Sequence, residues 1–540
     1  MIGTASLGRK VAHRRRSLTS AAVAAVTAVA VLAGTAYGAV SNTRVTSEAE
    51  NQFAKPSSMA SAPLNQQNVI VAFAEDRNPK AQGQLTCYLA LNTHGGTGGW
   101  AIRQVVGAGA ANPLPNGVIP PQGTPGCQSP TARYSRDGAT IYYAFQAPVT
   151  VTGRGGRYDY GFIYFTKSTD GGVTWTAPLK VNADNPYDTT RMGGDTGGDW
   201  YPDITVDTTG GPANGRLYVS WKHYQHGFRG GFVAAAFSTD GGASFSSSCG
   251  TCVSTHVVNP PQTNESSGMT ASGGGGQPGA VALNGRFCVA FGDQTETQAT
   301  RGGTGPDAEV ACVPGPDPTA NFTFNPPVQL GKISQTCTDF PTSFGCGPIS
   351  PSIHIASGPC PAGPTCSAAA GQMAVTWSNT EKSEIPDGGR LYEVTSADGG
   401  ATWPTVSSSN VAQVTAGDIQ YFPNLAIAPN GRLDLNYYDV RPTATCPTPA
   451  DATAGVRNTY HVSSLTLGAD LATKVPTLES TACSDSNIKP AAQVFGGPVP
   501  GLVVGVATPT SALLAWSDTR NSISETTGRY QMFSANDTSP

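Results

Sequence analysis

The chain has 540 residues, of which 39% are hydrophobic and only 13% charged, with 65 glycines, 42 prolines and a formal net charge of −4. This composition argues against coiled coils and charged helical bundles, and for many short strands joined by turns. The acidic balance also argues against nucleic-acid binding through phosphate contacts.

At the N-terminus, Arg9, Lys10 and Arg14 to Arg16 precede an apolar run from Ala21 to Gly34 and a small-residue site at Ala36-Tyr37-Gly38. That order predicts a cleaved secretory signal over 1–38. Arg15-Arg16-Ser17-Leu18 resembles a twin-arginine signal, so both export routes stay open. The apolar run is shorter than the roughly 20 residues of a membrane span. No second run of that kind follows, so no span is expected after cleavage. Cleavage removes five basic and no acidic residues, leaving 27 basic against 36 acidic. The expected location is extracellular. The 12 cysteines, an even number, suit an oxidising compartment. Spacing suggests Cys249–Cys252, Cys337–Cys346, Cys360–Cys366, Cys446–Cys483, Cys288–Cys312 and Cys87–Cys127, although spacing does not fix connectivity.

Beyond 39–55, an N-terminal segment, residues 56–540 read as one all-β domain with an internal period. A proline opening a strand recurs at Pro56, Pro130, Pro202, Pro278, Pro351, Pro423 and Pro498 or Pro500, at intervals of 72 to 77 residues. Pro202-Asp-Ile-Thr-Val206, Pro351-Ser-Ile-His-Ile355 and Pro423-Asn-Leu-Ala-Ile427 alternate as strands with two different faces do. A turn and a second strand rich in aromatics follow, as in Arg216 to Trp221 and Arg432 to Tyr437. Third strands include Gly161 to Phe165 and Leu391 to Val394. Four antiparallel strands per period is the pattern of a propeller blade, and seven units can be counted. The last unit lacks a fourth strand, which residues 43–52 are expected to supply, pairing the chain ends and covering open edges.

Three turns between third and fourth strands share the pattern Ser-x-Asp-x-Gly-x-x-aromatic: Ser168-Asp170-Gly172-Trp175, Ser238-Asp240-Gly242-Phe245 and Ser396-Asp398-Gly400-Trp403. The Ser and Asp side chains accept bonds from nearby backbone N–H groups, glycine supplies positive φ, and the aromatic ring pins the turn inward. A decayed copy is read near Gly95 to Trp100, and the other three units are read as lacking one. These turns resemble the Asp-box (BNR) repeat of the sialidase-like β-propellers, across essentially the whole mature chain. The resemblance implies a secreted bacterial propeller; the repeat count gives it seven blades, six being the alternative because sialidases have six. It also implies either glycan binding or exo-glycosidase (exo-α-sialidase-like) hydrolysis. Sialidases of this family hold a carboxylate with three arginines and use a Tyr–Glu pair and an Asp. The first-blade Arg-Ile-Pro motif is absent here, where the strand reads Lys55-Pro56-Ser57-Ser58.

In such a fold the loops after the second strands share a face with the inter-blade connections, and the Asp-boxes lie on the opposite face. Three units carry a related motif after the second strand: Glu75-Asp76-Arg77, Tyr438-Asp439-Val-Arg441 and Ser517-Asp518-Thr-Arg520. Asp76, Asp439 and Asp518 are candidates for proton transfer, and Arg77, Arg441 and Arg520 for ligand contact. The alternative is a repeated strand-end ion pair. Trp200, Tyr201 and Tyr421 are candidates for stacking on a sugar face or for packing between blades. The two histidines of Lys222-His223-Tyr-Gln-His226 lack further ligands at metal-binding spacing, so neither metal nor cofactor is expected. The expected partner is a glycan or another extracellular ligand.

Overall fold

The computed structural model describes residues 41–46, 53–76, 86–106, 127–153, 156–181, 198–211, 213–224, 231–245, 256–257, 279–293, 307–315, 322–332, 353–359, 371–379, 390–404, 420–439, 456–482, 484–485, 504–518, 520 and 531–538. These residues form seven antiparallel sheets, each a propeller blade.

The N-terminal strand β1 (Thr43–Arg44) is followed by blade 1, made of β2 (Phe53–Ala62), β3 (Asn65–Asp76), β4 (Thr86–Asn92) and β5 (Ala101–Val106). Blade 2 comprises β6 (Gln128–Tyr134), β7 (Ile141–Gly153), β8 (Gly156–Ser168) and β9 (Leu179–Lys180). Blade 3 comprises β10 (Gly198–Val206), β11 (Leu217–Tyr224), β12 (Gly231–Ser238) and β13 (His256–Val257). Blade 4 comprises β14 (Gly279–Val281), β15 (Phe287–Asp293), β16 (Asp307–Val313) and β17 (Val328–Lys332). Blade 5 has three described strands, β18 (Ile353–Ser357), β19 (Met373–Asn379) and β20 (Arg390–Ser396). Blade 6 comprises β21 (Gln420–Ile427), β22 (Leu433–Asp439), β23 (Val456–Ser464) and β24 (Thr477–Leu478), with β25 (Ser484–Asp485) also on β23. Blade 7 comprises β26 (Val504–Ala507), β27 (Ala512–Asp518) and β28 (Gln531–Asp537).

The first strand of each blade touches the first strand of the next, and β26 of blade 7 touches β2 of blade 1. The ring is therefore closed. The fourth strand of blade 7 is β1, paired antiparallel with β28 through Thr43 with Ser534 and Arg44 with Phe533. Two chain ends thus share one sheet, which protects the edge that β28 would otherwise present.

The core lies between blades. Second strands read as continuous buried runs, as in Ala512–Asp518 and Leu433–Asp439, because both faces pack on neighbouring sheets. One cluster joins Ile70, Ala72 and Leu89 of blade 1 to Ile141, Tyr143 and Phe145 of blade 2. Another joins Val233, Ala235 and Phe237 of blade 3 to Phe287 and Val289 of blade 4, with Tyr218 stacked on Phe287 at 4.4 Å. Two disulfides are formed among the described residues. Cys87–Cys127 links β4 to the start of blade 2, and Cys288–Cys312 joins directly opposed residues of β15 and β16. The other four proposed pairs include residues outside the described set. No helix among the described residues is long and apolar enough to cross a membrane.

Among the described residues, Pro56, Pro130, Pro202 and Pro423 lie within the first strands of their blades rather than opening them, while Pro278, Pro351, Pro498 and Pro500 are outside the described set. Pro130, Pro202 and Pro423 each follow a non-glycine residue with positive φ: Ser129 at 44°, Tyr201 at 57° and Phe422 at 51°. At each, the pairing with the second strand slips by one residue, between Gln128 and Thr131, Trp200 and Asp203, and Tyr421 and Asn424. A bulge is where proline, lacking an N–H, costs no ladder bond, and the extra residue re-aims its neighbours.

Candidate functional site

The bulges divide each innermost strand into a segment at the mouth of the ring and a segment along its axis. Immediately after the proline, a polar side chain reaches the next blade. Thr131 Oγ1 accepts the Ile204 N–H at 3.0 Å, Asp203 Oδ2 the Gly279 N–H at 3.3 Å, and Asn424 Oδ1 the Gly505 N–H at 3.1 Å. Ser58 Oγ does the same for the Ala132 N–H at 2.9 Å. Innermost strands of neighbouring blades share no ladder, so these bonds satisfy N–H groups that burial would otherwise orphan.

Along the axis runs a cavity of about 260 Å3, lined by the innermost strands of all seven blades. Its charged groups neutralise each other: Arg133 Nη2 lies 3.3 Å from Asp203 Oδ1. Burial raises the Asp203 carboxyl, and the Arg133 charge pulls it back. Across the cavity, burial and then the Arg133 charge push His354 down to about 3, so its imidazole is neutral at neutral pH. His354 Nδ1 and Ser57 Oγ are buried, line the cavity and meet no hydrogen-bond partner among the described residues.

At the mouth, Trp200 and Tyr201 are half-buried, with ring centroids 6.2 Å apart and planes inclined at 46°. The left-handed backbone of Tyr201 and the bulge that follows it set this presentation. Desolvation raises the Tyr201 phenol, which therefore stays protonated as a donor. The Tyr201 N–H donates to Gln146 Oε1 at 3.4 Å, while Gln146 Nε2 is buried without an acceptor among the described residues. On blade 6, Gln420 Nε2 donates to Asp439 Oδ2 at 3.3 Å, and Gln420 Oε1 is buried without a donor among the described residues. Lys222, on β11 opposite Trp200, is fully buried, and desolvation holds its amine well below the usual lysine value. Sequence reading missed Gln146, Gln420, Ser57 and His354. Each is an ordinary polar residue in a strand, and only the ring shows that it is buried without a partner.

The strand-end candidates fare unequally. Asp439 and Asp518 end the second strands of blades 6 and 7 and are buried, and Tyr438 Oη donates to the Ser517 carbonyl at 3.3 Å between them. Asp518 Oδ2 accepts Trp516 Nε1 at 3.1 Å and Arg520 Nε at 2.9 Å. Arg520 Nη1 also donates to Asn42 Oδ1 at 3.1 Å and Thr481 Oγ1 at 2.9 Å, and its guanidinium lies 4.2 Å over the Phe533 ring. Arg520 thus holds the seam between blade 6, blade 7 and the N-terminal segment. Asp76 ends β3 and Tyr421 lies in β21. The side chains of those two residues, and Arg77 and Arg441 altogether, are outside the described set.

On the opposite face, Ser168 Oγ accepts the Gly172 N–H at 2.8 Å, and Asp170 accepts the Thr174 N–H at 2.9 Å and its hydroxyl at 2.6 Å. Bonds from Thr174 and Ser168 hold the Asp170 carboxyl down to about 2. The turns at Ser238 and Ser396 repeat this geometry. In the first blade Asn92 takes the place of Ser, its Oδ1 accepting the His94 and Gly96 N–H groups, both at 2.8 Å. Blade 6, read from sequence as lacking such a turn, has one with two residues exchanged. Ser464 Oγ accepts the Gly468 N–H at 2.9 Å, and Thr466 Oγ1 donates to Asp470 at 2.8 Å, hydroxyl and carboxylate having swapped places.

The chain is similar in structure to a Hadza microbial sialidase, at 12% identity and a TM-score of 0.41 over 92% of this chain and 95% of that one. It is similar to a protein of unknown function from Dyadobacter fermentans, at 11% identity and 0.41 over 76% and 94%. An α-L-arabinanase from Penicillium chrysogenum matches at 12% identity and 0.37 over 76% and 93%. No protein-family model and no curated protein matches.

Proposed function

We propose that this chain is an exported glycan-binding propeller that takes its ligand at the mouth of the ring, beside Trp200 and Tyr201. The observation that carries the reading is a set of uncharged polar atoms that meet no partner among the described residues, there and along the axis: Gln146 Nε2, Gln420 Oε1, Ser57 Oγ and His354 Nδ1. Buried groups of this kind cost about 1–3 kcal/mol each unless a partner arrives. Donors and acceptors without charge, with Gln146 beside Tyr201, suit a neutral polyhydroxyl ligand better than a phosphate or a carboxylate. The Arg133–Asp203 pair supports the same choice, since the arginine is already matched. The two disulfides and the charged-then-apolar N-terminus support export. Binding is preferred to exo-glycosidase action because hydrolysis needs two carboxyl groups able to act, and Asp518 is held by Trp516 and Arg520.

A glycan array and a panel of aryl glycosides test this. The expected result is retention of a subset of neutral glycans without sugar release, with affinity falling roughly tenfold or more in Trp200→Ala, as for a buried aromatic anchor. Sugar release from the panel, or glycan retention indifferent to Trp200→Ala, would overturn it.

A further inference from the structure

Blades 6 and 7 meet at a buried cluster of side chains drawn from distant points of the chain. His461 of β23 donates its Nε2 N–H to Asp434 Oδ1 of β22 at 3.0 Å. Asp434 is in turn held by Arg432, with Nε 2.9 Å from Oδ1 and Nη2 2.9 Å from Oδ2. The other ring nitrogen, Nδ1, faces two more carboxylates: Asp537 Oδ2 of β28 at 3.1 Å and Glu479 Oε1, just after β24, at 3.9 Å. These side chains are at most 2% exposed. One donor atom from each of His461, Glu479 and Asp537 lies within 4.8 Å of the others. Both Glu479 oxygens are buried and accept no hydrogen bond from the described residues.

We propose that His461 Nδ1, Glu479 and Asp537 bind one divalent cation of the zinc class, a structural ion joining blade 6 to blade 7. Ligand atoms about 2.0–2.2 Å from a tetrahedral ion stand roughly 3.3–3.5 Å apart, and the spacings of 3.1 and 3.9 Å bracket that value. A histidine ligand characteristically donates its other N–H to a carboxylate, which Asp434 provides and Arg432 fixes. One imidazole with two carboxylates favours zinc over calcium or magnesium, which take oxygen sets. The burial of all three side chains shields the ion from bulk solvent, and three protein ligands leave the fourth position of a tetrahedral ion to a water. The three ligands also give the ion a place in ring closure. The Glu479 carbonyl accepts the Asn42 side-chain N–H at 2.7 Å, and Asp537 ends the strand on which β1 pairs. The ligands come from residues 461, 479 and 537, so no local spacing could have revealed them.

The test uses the full chain, stripped with a chelator and titrated with ZnCl2, read by equilibrium dialysis with elemental analysis and by thermal unfolding. One zinc per chain is expected, with the melting midpoint rising by roughly 3 °C at a free concentration about 100-fold above Kd. Calcium at the same concentration should leave the midpoint unchanged. Glu479→Gln should lose the zinc, while its metal-free form melts no lower than metal-free wild type, because a buried carboxylate has been removed. Asp537→Asn should lose the same stoichiometry. Absence of stoichiometric zinc in the wild type, or zinc retained unchanged by both variants, would overturn the proposal and leave the cluster held by a shared proton.

Discussion

Gly241 and Gly242 stand side by side in one turn, with φ of +66° and +81°, yet they face different surroundings. A Cβ on Gly241 would find only Lys167 Nζ at 3.8 Å, whereas one on Gly242 would lie 2.2 Å from Phe165 of the preceding blade. Gly242→Ala should therefore pay about 1–2 kcal/mol for a left-handed alanine and a further roughly 1–3 kcal/mol for overpacking. Gly241→Ala should pay the first cost alone. Urea unfolding of the two variants checks this, and equal losses would contradict it. The residues of these turns were legible in sequence because their hydrogen bonds close within a few positions, as between Asp170 and Thr174. Gln146 and His354 were not legible. Their significance lies in what they fail to meet, which depends on strands of other blades, as between Gln146 and Tyr201.

At the scale of elements, the 72 to 77-residue proline period located the innermost strands, and at Pro56, Pro130, Pro202 and Pro423 the proline falls inside the strand rather than at its start. The residue after it matters as much. Thr131, Asp203 and Asn424 each catch an N–H of the next blade, linking innermost strands that share no ladder. Thr131→Val keeps the shape and deletes the acceptor, leaving the buried Ile204 N–H without its partner. A loss of about 1–3 kcal/mol is expected, measured by denaturant unfolding with an unchanged slope, and a neutral result would contradict the latch. Blade 6 shows the limit of pattern reading. Exchanging the hydroxyl and the carboxylate at 466 and 470 keeps the hydroxyl–carboxylate bond and the serine–glycine bond, yet removes the letters by which the turn is recognised.

From residue 42 onward the described residues form a closed ring of seven blades, with β1 and β28 joined in one sheet and the axis lined by mutually neutralised or uncharged groups. Blade number and strand order were legible because repetition amplifies weak local signals. The mouth was only partly legible: Trp200 and Tyr201 stand out in the sequence as aromatic residues at a strand entry, but the bulge that presents them does not. The seam between blades 6 and 7 brings residues 42, 479 and 520 together through side-chain bonds that only ring closure creates. On the proposed function, the ligand should sit beside Trp200, Tyr201 and Gln146, on the face away from the Asp-box-like turns. The most direct measurement is a crystal structure of the protein with the tightest-binding glycan from the array. A sugar ring is expected against Trp200 and Tyr201, with a hydroxyl in reach of Gln146 Nε2. A glycan seated on the face of Asp170, Asp240 and Asp398 would contradict it.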